Sequence, residues 1–95
     1  MTDNNAIIIN YSDESLRILV DEYITQQRRE FTFKGLCSYI LYWAMEDGKT
    51  ANTGNAIYDS YQMSSGDCDR VCSISESIVK DGRLVKASER YQLVN

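Results

Sequence analysis

The sequence predicts a small, mainly helical domain closed by a C-terminal β-hairpin. Three observations carry that expectation. Two apolar segments of helical character each open on a hydroxyl-bearing capping residue. A third stripe runs into Gly82, and two short β-prone runs then flank a polar reversal near the end of the chain. Ninety-five residues suffice for one such domain and not for two.

Ala6 to Ile9 contains three consecutive isoleucines and reads as a short strand or a hydrophobic arm, so residues 1–11 are set apart from a domain covering 12–95. Ser12 is placed as an N-cap, with Tyr11 and Leu16 at the spacing of a hydrophobic staple. Leu16, Leu19, Val20, Tyr23 and Ile24 then form one apolar stripe. Asp13 and Glu14 suit the positive end of that helix and Arg28 and Arg29 the negative end, which predicts a helix over 13–29.

The same opening recurs at Phe31-Thr32, with Leu36 four residues past the cap. A second helix is expected from Phe33 to about Glu46, ending where Gly48 can adopt the left-handed conformation. It is apolar over most of its circumference, so it is central to the core or reserves a face for a partner. Residues 48–66 are polar and small, with a short helix read between 53 and 61. From Asp67, the spacing of Val71, Ile74 and Ile78 gives the next helix. Leu84-Val85 and Tyr91-Gln92-Leu93-Val94 flank Ala87-Ser88-Glu89 as a hairpin.

Charge bears on function. The net charge is -4, and residues 1–63 hold nine acidic against five basic side chains, whereas residues 64–95 hold five of each. The C-terminal third is therefore the end that repels an anion least. Three cysteines without a secretory pattern, and no apolar stretch long enough to span a bilayer, lead to the expectation of a cytoplasmic protein with free thiols.

The order Val71-x-x-Ile74-x-x-x-Ile78-x-x-x-Gly82-x-Leu84, followed by Tyr91-x-Leu93, resembles the end of a winged helix-turn-helix domain. Upstream, Ser12 to Ile40 is similar to that family's first two helices. The resemblance implies a fold of three to four helices plus a wing, and a last helix that enters the major groove of double-stranded DNA. It points to a small transcriptional regulator. Two departures stand beside it. About twenty residues separate Glu46 from Asp67 where the family's turn takes three or four. The outer face of the last helix holds Asp69 and Glu76 beside Arg70. A second function class therefore stays open: the same scaffold used for protein–protein contact, including an acidic inhibitor of a nucleic-acid-binding protein.

On the DNA reading, Arg70, Ser73 and Ser77 face bases or phosphates, and Lys80, Arg83, Lys86 and Arg90 hold the backbone around the wing. The plainer reading is a solvated helix face and a sheet edge kept from aggregating by charge. Tyr39, Tyr42, Trp43, Tyr58 and Tyr61 form an aromatic set of which part must be core, and two readings stand for the rest: further core packing, or an interface with a homodimer partner or another protein. Cys68 and Cys72 share a helical face, yet with Cys37 they supply three sulfurs and there is no histidine, so no metal or cofactor is expected. Gly48-Lys49-Thr50 lacks the upstream glycine of a phosphate loop, since that position is Trp43. No catalytic constellation emerges, and the chain is read as a binding protein rather than an enzyme.

Overall fold

The computed structural model describes residues 6–52, 62–88 and 90–94. The protein is mainly helical, with three helices and two small sheets among the described residues. The chain runs β1 (Ala6–Ile9), α1 (Asp13–Gln26), β2 (Glu30–Thr32), α2 (Phe33–Glu46), β3 (Thr50–Asn52), β4 (Gln62–Met63), α3 (Ser65–Lys80), β5 (Leu84–Ala87) and β6 (Arg90–Leu93).

Local chemistry explains the helix starts. Ser12 Oγ accepts the Ser15 amide at 3.1 Å and Thr32 Oγ1 accepts the Gly35 amide at 3.0 Å. Each satisfies one of the amides that a helix start leaves without a partner. At the far end of α2, Gly48 turns the chain at φ +68°, and Gly82 does the same after α3 at φ +84°. A side chain at either position would be strained.

One sheet has the order β3-β1-β4, with β1 antiparallel to β3 and parallel to β4. Along β1 the side chains alternate: Ile7 and Ile9 are buried while Ile8 is exposed. The other sheet has the order β2-β6-β5 and is antiparallel throughout. Its hairpin turns through two residues, because Ala87 is paired directly with Arg90, and Ser88 takes a positive φ of 61° there.

The helices pack on one another, and both sheets contribute to a single core. Leu16, Val20 and Ile24 of α1 meet Leu36, Ile40 and Ala44 of α2 and Val71, Ile74 and Ile78 of α3 within that cluster. Leu84 and Tyr91 close it from the hairpin and Ile7 and Ile9 from β1.

Two expectations need correction. The first helix ends at Gln26 rather than near residue 29. Gln27 is extended (ψ 151°), and Leu93 donates to the Arg29 carbonyl at 2.7 Å, so the backbone must straighten before β2. Arg28 and Arg29 therefore lie beyond the helix and no basic residue occupies its last turn. The stretch 48–66 also contains two strands, β3 and β4, which pair with opposite edges of β1. The short helix expected between 53 and 61 lies outside the described residues.

Candidate functional site

Two surfaces hold the residues singled out by the sequence: the hairpin with the neighbouring face of α3, and the outer face of α2.

On α3, Ser73, Glu76 and Lys80 are exposed and follow one another at helical spacing, while Ser77 is half-buried. Lys86 Nζ lies 3.8 Å from Glu76 Oε2, which brings β5 alongside this stripe. Arg83 pairs with Asp21 of α1 at 2.7 Å, and Arg90 pairs with Glu30 of β2 at 2.8 Å. The hairpin cations thus point to three different neighbours, and each sits beside a carboxylate. These pairs are exposed, so each contributes only about 0–1 kcal/mol and exchanges readily for another anion.

Arg70 is placed differently. Its guanidinium, one-third exposed, donates to Asp13 at 2.9 Å, to Asp67 at 2.9 Å and to the Tyr11 carbonyl. A base contact would require it to release all three. Asp67 is the centre of this arrangement and is buried. Its Oδ2 accepts the Ile9 amide at 2.8 Å and the Ser64 hydroxyl at 2.8 Å. Ser64 donates its backbone amide to the Ile7 carbonyl, and there the chain leaves β4 and turns into α3. The next amide on that edge of β1 is that of Ile9, and the Asp67 carboxylate supplies the rung that a longer strand would have supplied. Ser64-Ser65-Gly66-Asp67 has the spacing of a capping box, a local signal that marks Asp67 as part of the helix start. Its bond to Ile9 is 58 residues distant and has no local signal.

The aromatic set divides into a buried and an exposed part. Tyr91 stacks on Phe31 (5.3 Å between ring centres), Phe31 meets Tyr23 edge-on (5.4 Å), and Tyr23 contacts Tyr39 (5.0 Å). From Tyr39 the ring contacts continue to Trp43 and then to Tyr42. Exposure rises along this chain from 2% at Tyr91 to 40% at Trp43 and 57% at Tyr42. Tyr39 is half-buried and also accepts a hydrogen bond from Gln26 at 3.2 Å. Tyr58 and Tyr61 lie outside the described residues.

The three cysteines converge, although they come from two helices. Cys37 of α2 lies against Cys68 of α3, with Cys72 nearby, and all three are half-buried and outside any disulfide. Burial, reinforced by the neighbouring sulfurs, pushes the Cys37 thiol up to about 12. Such a group holds roughly a thousandfold less thiolate at pH 8 than an ordinary cysteine. Alkylation with iodoacetamide at that pH, followed by peptide mass spectrometry, is therefore expected to label Cys37 last in the folded protein. Labelling of folded Cys37 as fast as in urea would show that its environment is not apolar. Among the described residues, no group of three or more Cys, Asp or Glu side chains is arranged to hold a metal ion. Among them, too, no helix is long and apolar enough to cross a membrane. No protein-family model matches this chain, and neither does any curated protein or solved structure.

Proposed function

We propose that this chain is a winged-helix DNA-binding protein, a small transcriptional regulator in which α3 enters the major groove and the β5–β6 hairpin is the wing. One observation carries the reading. The strand between the first two helices, β2, pairs with β6 and so anchors the C-terminal hairpin beside α3. The hairpin then presents Arg83, Lys86 and Arg90, with Lys80 at the adjoining end of α3. Ser73 and Ser77 lie on the stripe between, where hydroxyls reach bases or phosphates.

Each wing cation has a carboxylate partner, and phosphate binding would replace that partner rather than meet a free cation. The exchange is favourable at low salt, where displaced counterions add their entropy, and it is lost steeply as salt rises. Fluorescence anisotropy against a random duplex at about 50 mM and about 200 mM salt tests this. The expected result is binding that weakens at least tenfold between them. Replacing Arg83 and Arg90 together by Glu should weaken low-salt binding further and flatten the salt slope by about two phosphate contacts. An unchanged slope in that variant refutes the wing's role.

The second reading rests on a specific observation. The exposed side chains of α3 include Asp69 and Glu76, whose charges oppose phosphate, and the large exposed aromatics lie on α2 instead. A winged-helix scaffold that binds protein accounts for both. Absence of duplex binding at either salt would favour that reading.

A further inference from the structure

The outer face of α2 carries a stripe that is its own complement when reversed. Lys34, Ser38, Tyr42 and Glu46 follow one another four residues apart, and all four are exposed. Successive members of such a row are neighbours on the helix surface. Met45 (37% exposed) and Trp43 flank the row, so an apolar and aromatic centre has a cation at one end and an anion at the other. Trp43 holds Tyr42 edge-on with ring centres 5.5 Å apart. Rings already held in place lose little freedom on binding, which favours association.

We propose that this face of α2 binds the same face of a second copy, with the two helices antiparallel about a two-fold axis. In an antiparallel pair, facing residues have a constant sum of positions. Centring the axis level with residue 40 sets Lys34 opposite Glu46 of the partner subunit and Ser38 opposite Tyr42 of the partner subunit. A cation then meets an anion, and a small side chain meets a large one. By symmetry each match occurs twice. Rows of residues four apart interdigitate in the commonest mode of helix packing. An unrelated protein would have no reason to match this reversal, whereas a second copy satisfies it automatically. The row covers about 18 Å of helix, which is short for a stable interface, so the dimer is expected in the micromolar range.

Sedimentation equilibrium of the full chain between about 1 and about 200 µM tests the proposal, without nucleic acid and therefore independently of the DNA reading. The mass should approach twice that of one chain at the upper end. Lys34→Glu or Glu46→Lys alone sets like charges opposite each other at both ends of the interface. Either should weaken association about tenfold. The double variant restores the pairing with its signs exchanged and should recover the native affinity. Both single changes favour the isolated helix, because they place an anion at its N-terminal end and a cation at its C-terminal end. Weaker association therefore cannot be attributed to a damaged fold. Tyr42→Ala should leave a monomer throughout. A monomeric native chain at the highest concentration overturns the proposal, and a double variant as weak as either single one overturns the antiparallel register.

Discussion

Replacing Asp67 by alanine is expected to lower the unfolding free energy by about 3–5 kcal/mol. The carboxylate is buried and accepts three hydrogen bonds, from the Ile9 amide, the Ser64 hydroxyl and Arg70. Without it, a strand amide loses its partner inside the protein, the start of α3 loses its acidic residue, and Arg70 keeps only Asp13 and the Tyr11 carbonyl. Leaving a buried donor unsatisfied is the largest of these effects, at about 1–3 kcal/mol. A domain of this size has a total stability of about 5–10 kcal/mol, so the variant should be marginal at ambient temperature. Its Tm, followed by circular dichroism, should fall by about 15–25 °C. Arg70→Met should cost less, because Asp67 retains its other two donors and the Met stem keeps most of the packing. A drop of under about 3 °C for Asp67→Ala would show that the β1–α3 clamp is not formed as described.

Tyr91→Ala should cost about 3–5 kcal/mol, and Tyr91→Phe only about 1 kcal/mol. Tyr91 is almost fully buried, its ring stacks on Phe31, and the same two residues are register partners across β2 and β6. Burial also holds its phenol above the usual value. Truncation opens a cavity where the hairpin, β2 and α3 meet, whereas Phe keeps the ring and loses only the hydroxyl. Urea unfolding of the two variants separates packing from hydrogen bonding. Amide exchange adds a local readout, since the Leu93 amide, bonded to the Arg29 carbonyl, should lose protection first in Tyr91→Ala. Equal losses for Ala and Phe would mean that the hydroxyl, not the ring, holds the hairpin.

These two residues also show where reading the sequence stops. Tyr91 was legible as a hairpin residue because strand alternation and a polar reversal are local signals. Its stacking on Phe31 was not, because 60 positions separate the two residues. The sequence pattern marks Asp67 only as the place where the last helix begins, and Arg70 as a side chain on that helix's free face. Their partners Ile9, Tyr11 and Asp13 lie 57 to 59 positions away. The hairpin cations are legible as charges, but the carboxylates beside them come from α1, β2 and α3, which only folding brings near.

Features that depend on a few consecutive residues are written in the order of amino acids alone. The caps at Ser12 and Thr32, the bounds of α2, the turns at Gly48 and Gly82 and the C-terminal hairpin all follow from hydrogen bonds and dihedral preferences within one or two turns of chain. The apolar stripes of α1 and α3 likewise name much of the core, since their periodicity sets which face must leave water, whereas α2 is apolar over most of its circumference and its pattern leaves the buried face open. Where α1 stops, that β2, β3 and β4 are strands, and which aromatic rings remain outside depend on contacts between distant segments. A two- or three-residue strand has no stability of its own and exists because a partner edge accepts its hydrogen bonds. An aromatic at helical spacing is buried or exposed according to what packs against that helix. For Tyr39, Tyr42 and Trp43 the helix pattern is the same, and the position of α1 makes the difference: Tyr23 covers Tyr39, while Tyr42 and Trp43 remain exposed.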